Sequence, residues 1–310
     1  MRLRHLIRIT FLFIAALMLQ SCVTSYKYSY EEENFPLFEG DYRQQTFRNI
    51  SDSNPSIKVV SFNIEFAQNI DEAITLLQKA PLLSADVILL QEMDEKGTER
   101  LAKSLNMSYA YYPAIYHPKH EQNVGNAILS KWKIKNSQKI KLPHPSSYPV
   151  PFEGKNYIFR KTATVANIEI HGQLITFAST HAAAFNTTQK RKEFAEAIAA
   201  QMQDATVTCA VVGGDFNSLG SADINATVSS FTSSDFLWAS QFIGMTVSEK
   251  KHVLRFVPVE AFQLDHLFVK GMCINDAGKV DQKGVSDHLP IWVDIEVERE
   301  DVFYNTRIIK

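Results

Sequence analysis

Val211-Val212-Gly213-Gly214-Asp215-Phe216-Asn217 carries an apolar strand directly into a carboxylate and an amide. The apolar run, residues 207–212, is short and bounded, as a buried strand would be. The same arrangement recurs along the chain. Phe62 leads to Asn63 and Glu65, Leu90 to Gln91 and Glu92, and Phe177 to Thr180 and His181. Leu264 leads to Asp265 and His266, and Val285 to Ser286, Asp287 and His288. A carboxylate at a buried strand end is costly unless it binds a metal or pairs with a cation or a histidine. Solvated surface charges would not keep so regular a position.

Strands and helices alternate between these points. Residues 57–62, 86–90, 127–129, 158–170, 174–180, 264–269 and 290–297 read as strands. Ile70, Ala73, Ile74 and Leu77 recur at helical spacing, and residues 95–105 read as a second helix. Asn186 is placed to cap a helix over residues 187–202, whose buried face is marked by Phe194, Ile198 and Met202. Gly172, in Ile170-His171-Gly172-Gln173, supplies the turn of a hairpin. Residues 139–156, rich in proline and serine, read as a long loop. Because hairpins interrupt the alternation, a doubly wound parallel sheet is excluded. Two mixed sheets packed face to face, with helices outside, fit the order. Residues 57–297 form one domain on this reading, and residues 298–310 a polar tail.

The chain has 310 residues, 45% of them apolar and 21% charged, with a formal net charge of −2. That suits a globular domain with a sizeable core and lacks the strong positive balance of a dedicated nucleic-acid binder. The N-terminus is different in kind. Arg2, Arg4 and Arg8 precede an apolar run at residues 9–19, the length of a signal-peptide core. Leu19-Gln20-Ser21-Cys22 then resembles a bacterial lipobox, apart from Gln20, which stands where a small residue is usual. The resemblance implies a signal peptide over residues 1–21 and a lipidated Cys22. Residues 22–56 would form a lipid-bearing N-terminus and tether, and the protein would be exported and anchored in the bacterial cell envelope. Cys209 and Cys273 are expected to be two buried thiols.

The polar types at the strand ends suit one chemistry. A phosphodiester is anionic and repels hydroxide. Carboxylates can hold a hard divalent cation that neutralises this charge. A histidine oriented by a carboxylate can move a proton, and neutral amides can hold water or phosphate oxygen. Ser61-Phe62-Asn63-Ile64, Gln91-Glu92, the stretch Gly125-Asn126-Ala127-Ile128-Leu129-Ser130, Thr180-His181, Gly214-Asp215-Phe216-Asn217, Leu264-Asp265-His266 and Ser286-Asp287-His288-Leu289-Pro290 stand in this order. In order and rough spacing they resemble the motifs of the endonuclease/exonuclease/phosphatase superfamily.

The resemblance implies a four-layer α/β/β/α sandwich and divalent-metal-dependent phosphoester hydrolysis with Mg²⁺ or Mn²⁺. Glu92 becomes the principal metal ligand, with Asn63, Glu65 and Asp287 completing the set. His181, Asp215, Asn217, Asp265 and His288 become catalytic, with Asp265 orienting His288. Asn126 and Arg160 are assigned to substrate. Either Asp215 or His288 can activate water; the Asp265–His288 pair favours His288. A phosphodiesterase acting on nucleic acid or a phospholipid head group is expected, as a monomer, because no arginine cluster is evident for a phosphate dianion. The alternatives are a phosphomonoesterase on a sugar or inositol phosphate, and a non-catalytic membrane-tethered binding protein.

Overall fold

The structure, a computed structural model, describes residues 29–30, 32–44, 56–142, 150–248 and 262–296. Cys22, His144 and residues 297–310 lie outside the described residues. In chain order the elements are β1 (Phe38–Asp41), β2 (Ile57–Asn63), α1 (Ile70–Leu77), β3 (Val87–Met93), α2 (Glu95–Leu105), β4 (Ser108–His117), β5 (Gln122–Ser130) and β6 (Ile134–Lys141). The hairpin β7 (Val150–Phe152) and β8 (Lys155–Tyr157) leads to β9 (Thr162–Ile170), β10 (Gln173–His181), α3 (Thr188–Gln201), β11 (Cys209–Asp215) and α4 (Ser221–Thr232). The last elements are β12 (Leu237–Trp238), β13 (Asp265–Lys270), β14 (Cys273–Lys279) and β15 (Ile291–Glu296).

One sheet has the order β1-β4-β5-β3-β2-β15-β14, the other β12-β13-β11-β10-β9-β6. Each contains one parallel pair joined through a helix, β2–β3 through α1 and β10–β11 through α3; the other pairings are antiparallel. Ile57, Val59, Leu89, Phe177, Val211 and Val293 pack between the sheets. Outside the first sheet, Ile70, Ala73 and Leu77 of α1 and Leu101 of α2 cover Val60, Phe62 and Leu90. Outside the second, Phe194 and Ile198 of α3 and Phe231 of α4 cover Val212 and Phe268. Side chains therefore alternate between an inner and an outer apolar layer along each strand. The result is the expected α/β/β/α sandwich of two mixed sheets.

This topology gathers the chemistry at one end. The two parallel pairs finish there, delivering Asn63, Glu92, His181 and Asp215. The antiparallel partner β13 starts there, with Asp265 opposite Asp215. Parallel register sets His181 beside Asp215 and, one step back, Thr180 beside Gly214. A side chain at position 214 has no room, since an added Cβ would lie 1.9 Å from the Thr180 carbonyl oxygen. The glycine is thus a requirement of the close approach of β10 and β11.

Several expectations need correction. Residues 22–56 are not wholly a tether. Ser29 bridges to Ile115, and β1 pairs along β4, closing the edge of the first sheet. Phe38 packs against Tyr111 and Tyr42 stacks on Tyr109, so the segment gains both ladder bonds and apolar burial. Residues 139–156 are not one loop. β6 runs to Lys141, because buried Lys139 has its ammonium held by the carbonyls of Tyr30 and Phe35. Thr187, not Asn186, caps α3 by accepting the Lys190 N–H. Cys209 is buried, but Cys273 is exposed on the edge strand β14. Among the described residues no helix is long and apolar enough to cross a membrane.

Gly214→Ala should separate β10 from β11 and displace His181 and Asp215 together. The expected cost is about 3 kcal/mol in urea unfolding, at the upper end of ordinary overpacking, with nearly complete loss of hydrolysis. A fully stable, active Gly214→Ala protein would contradict this packing.

Candidate active site

Asp215 sits at the end of β11, essentially without exposure. Its Oδ1 accepts the N–H of Asn217 (2.8 Å), and its Oδ2 accepts the side-chain amides of Asn63 and Asn217, both at 3.1 Å. Nε2 of His181 lies 3.4 Å from the same oxygen and Nε2 of His288 lies 3.6 Å from it. Two of these groups, Asn63 and His288, come from or beside the first sheet, whereas His181 and Asn217 belong to the second. Asn217 takes a left-handed φ of +50°, which lets its amide reach back to both Asp215 and the Ala182 carbonyl (3.1 Å).

His288 Nδ1 meets Asp265 Oδ2 at 2.8 Å. The same carboxylate oxygen accepts the Thr246 hydroxyl at 2.7 Å, and Thr246 Oγ1 accepts the N–H groups of Leu264 and Asp265. Ser286 donates to the Asn63 carbonyl (2.6 Å) and accepts the His288 N–H (3.1 Å), tying the last motif to the end of β2. Burial opposes a charge on His288, but Asp265 and Asp215 on its two sides outweigh it and hold its pKa well above the ordinary value. His181 behaves oppositely. Burial, with Lys161 and His288 adding to it, holds its pKa well below the ordinary value, so it is a neutral donor.

Asp215, Asp265 and His288 place one ligand atom each within 4.8 Å of one another, close enough for a metal. The hydrogen bonding argues against that use. An imidazole with both nitrogens facing carboxylates is a double donor and has no lone pair for an ion. Glu92 and Asp287 fit a cation better. Glu92 lies within an irregularity of β3, has φ of +56°, and uses Oε2 to accept the Phe66 N–H at 3.1 Å. Burial, then the charges of Asp287 and Asp215, push its carboxyl up to about 7 despite His288 and Lys161. Burial also pushes Asp215 up to about 6, with His288 pulling the other way and Asp265 adding to the rise. Among the described residues the cations that act on Asp215, Asp265, Glu92 and Asp287 are His288, Lys161 and, on Asp215, Arg191, which is itself paired with Asp223. A hard divalent ion held by Glu92, Asp287 and the remaining lone pair of the Asn63 amide oxygen would relieve that excess.

Glu65 is buried beside this group with φ of +42°, and its N–H donates to Asn63 Oδ1 at 3.0 Å. Asn126 is placed otherwise than expected. Asn126 is buried between the sheets, its amide donating to the Thr162 carbonyl (2.8 Å) and its own carbonyl accepting the Thr164 hydroxyl (2.8 Å). It pins β5 to β9, and its amide is committed to the fold instead of to a substrate. Arg160 lies in the link from β8 to β9, with its N–H on Ser29 Oγ at 3.4 Å. Its neighbour Lys161 is a buried cation of the site. Burial pulls the Lys161 ammonium below its usual range, and the charges of Glu92 and Asp215 push it back. Arg160-Lys161 precedes regular β9, so strand alternation could not decide between the two.

Thr246 and Ser286 carry no comparable signal, although Ser286 lies inside a quoted motif. Arg191 braces the site from behind. Its guanidinium donates to the carbonyls of Ala183, Ala184 and Phe216, on the loops that leave His181 and Asp215. Beyond Glu92, Phe66 stacks on His120 (4.0 Å between centroids) and meets His117 at 5.3 Å. Burial, then the neighbouring positive groups, lower His117 to about 4, so this ring is neutral.

A sandwich with carboxylates, amides and a paired histidine at one end defines a hydrolase-type site for an anionic ester. The chain belongs to the Endonuclease/Exonuclease/phosphatase family, whose model matches residues 60–288. No curated protein matches the sequence. A family protein from Bacteroides thetaiotaomicron has a similar fold, with a TM-score of 0.60 and 17% identity over 80% of this chain and 100% of that one. The mannosyl-6-phosphatase Bt3783 of the same organism aligns with a TM-score of 0.57 and 17% identity, over 77% of this chain and 99% of that one. D. rerio TDP2, complexed with a single-strand DNA product, gives a TM-score of 0.60 and 15% identity, over 79% of this chain and 99% of that one. In class, the chain is a phosphoester hydrolase.

The pH dependence of stability follows from the two raised carboxyls. Glu92 and Asp215 hold protons more tightly folded than unfolded, so the unfolded chain loses them first as pH rises. The contribution of these two carboxyls to the stability of metal-free protein should therefore fall from the ordinary carboxyl range, 3.8 to 4.5, up to about 7. His288 acts in the same direction, its contribution being lost as pH rises through its raised pKa. His117, His181 and His266, whose pKa values are lowered by burial, act oppositely, adding stability as pH rises to the ordinary histidine value, so the carboxyl contribution is read by difference. In melting curves at about pH 5 and pH 8, Glu92→Gln should raise the Tm at the higher pH relative to the lower one, compared with wild type, and Mg²⁺ should do the same. A pH dependence of Tm unchanged by Glu92→Gln would count against the buried charge excess.

Proposed function

We propose that the protein is an exported, membrane-anchored, divalent-metal-dependent phosphodiesterase. The observation that supports this best is the single buried oxygen of Asp215, faced by two amides and two imidazoles beside Glu92. The sequence favoured His288 as the base. Its flanking carboxylates argue for a resting imidazolium instead, so His288 is assigned as donor and Asp215 as acceptor. Asp215 takes the proton of the attacking water, with a pKa of about 6 that suits a base working near neutrality. Asn63 and Asn217 fix the orientation of that carboxylate. His288 presents its Nε2–H to a phosphoryl oxygen, and Asp265 holds the ring and balances its charge. Neutral His181 offers a further donor, and Lys161 adds a fixed positive charge. Glu92, Asp287 and Asn63 are assigned to a divalent ion, Mg²⁺ or Mn²⁺, which supplies neutralisation of the phosphoryl charge when bound.

The diester preference rests on scarce cations. Arg191 is committed to backbone carbonyls and Asp223, and Lys131 pairs with Asp86 at the far end of β3. Lys161 supports the second reading, a phosphomonoesterase, because an additional fixed cation suits a dianion.

Chelation should abolish hydrolysis, and Mg²⁺ or Mn²⁺ should restore it. Asp215→Asn and His288→Ala should each lower kcat by about 10²–10⁴ with the fold retained. In the wild type kcat/KM should fall on the acid side below about 6. Bis-p-nitrophenyl phosphate should be cut faster than p-nitrophenyl phosphate, and Lys161→Met should cost the monoester more than the diester. Activity in chelator, or natural monoesters preferred to every diester tried, would overturn the assignment.

A further inference from the structure

The N-terminal segment enters the fold at the catalytic end. Ser29 bridges to Ile115 near the end of β4. Across the sheet, Pro113 of β4 stands opposite Gly125 of β5, and Gly125 opposite Met93 of β3, next to Glu92. Ser29 is therefore level with the active site and three strand spacings from β3, about 14 Å. The entry point is well fastened. Tyr30 donates its N–H to the Ala114 carbonyl (2.9 Å) and its hydroxyl to Asn123 (2.6 Å), and Lys139 bonds its carbonyl (3.3 Å). Ser29 Oγ accepts the N–H of Arg160, the neighbour of Lys161. From there the chain runs along β4 toward the opposite end of the domain, where Asp41 pairs with Ser108.

Only residues 23–28 separate Cys22 from Ser29. Fully extended, that link reaches at most about 25 Å. A domain of this size is roughly 45 Å across, from the usual scaling of radius with length. A lipid on Cys22 would hold the catalytic end within half a domain width of the bilayer, and the opposite end could not take its place.

Exposed apolar side chains stand on the loops at that end. Phe185 (57% exposed) follows His181, Leu219 (36%) follows Asn217, and Tyr116 (37%) ends β4. Leu83 and Leu174 are exposed at the other end, so apolarity alone does not orient the domain. The point of attachment does.

We infer that the docked N-terminal segment holds the active site against the membrane and that the substrate is the phosphodiester of a phospholipid head group. This rests on the proposed reading of Cys22 as the lipid-bearing residue and of the site as a diesterase. Confinement at short reach gives the site a high effective concentration of bilayer phosphodiesters. Hydrolysis needs only water as co-reactant. Its oxygen forms a new bond to phosphorus, one P–O ester bond breaks, and the departing alkoxide takes up a proton. The products are a phosphomonoester and an alcohol.

The test uses full-length lipidated protein in vesicles of phosphatidylethanolamine and phosphatidylglycerol that carry a nitroxide-labelled head group. In a Cys273→Ser background a fluorophore is attached at Phe185→Cys or at Leu174→Cys. Quenching should be several-fold stronger at position 185, and vesicle phospholipid should be hydrolysed faster than a DNA duplex. Twenty Gly/Ser residues inserted after Ser25 should reduce both quenching at 185 and lipid hydrolysis several-fold. The same insertion between Gln44 and Ser56, beyond the docked segment, should change neither. Equal quenching at the two positions, stronger quenching at 174, or DNA cut faster than phospholipid would overturn the inference. Mass spectrometry finding no lipid on Cys22 removes its premise of anchoring, whereas no hydrolysis of bis-p-nitrophenyl phosphate by any form removes the diesterase reading.

Discussion

One carboxylate oxygen joins the two halves of this molecule. Asp215 Oδ2 is buried where the strand ends of both sheets meet, and it is approached by Asn63, Asn217, His181 and His288. A buried carboxylate without donors would be prohibitively costly, so the fold must bring these groups to it. The neighbouring details serve that need: the close contact of Gly214 with Thr180, the brace of Arg191 on the loops behind, and the Ser286 hydroxyl that ties the last motif to β2. The site is as much a clamp between sheets as a reaction centre.

The charges around that oxygen divide the labour. Asp265 lies on one side of His288 and Asp215 on the other, with Thr246 fixing Asp265. A histidine so flanked is a cation and a donor, which leaves Asp215 as the group able to accept a proton. Glu92 and Asp287 then stand apart as oxygen ligands with unbalanced charge. The same residues can be listed as three roles or as one cluster; the direction of each hydrogen bond separates them.

The fold class and most of the site were legible in the sequence for one reason. Strands that are buried on both faces read as continuous apolar runs, so a polar residue ending such a run is conspicuous. Asn63, Glu92, His181 and Asp215 announce themselves this way, whereas Asp265 begins β13 and His288 lies in the loop before β15, so these two were legible through their motifs. What escaped depends on long-range geometry. The pairing of β1 with β4 and the burial of Lys139 under Tyr30 and Phe35 have no local pattern. Thr246 lies in an unpatterned stretch yet holds Asp265. Asn126 sits in a motif but spends its amide between the sheets, and Lys161, which precedes regular β9, carries no strand pattern to mark it as a cation of the site.

The protonation state of His288 bears most directly on this division of labour. Nitrogen-15 chemical shifts of the His288 imidazole, recorded near neutral pH on Mg²⁺-loaded protein, distinguish the two assignments. Two protonated ring nitrogens are expected, with the charge lost only well above the ordinary histidine range and Asp265→Asn lowering that pKa. A neutral ring at neutral pH, titrating at or below the ordinary range, would return the role of base to His288 and contradict the assignment of Asp215.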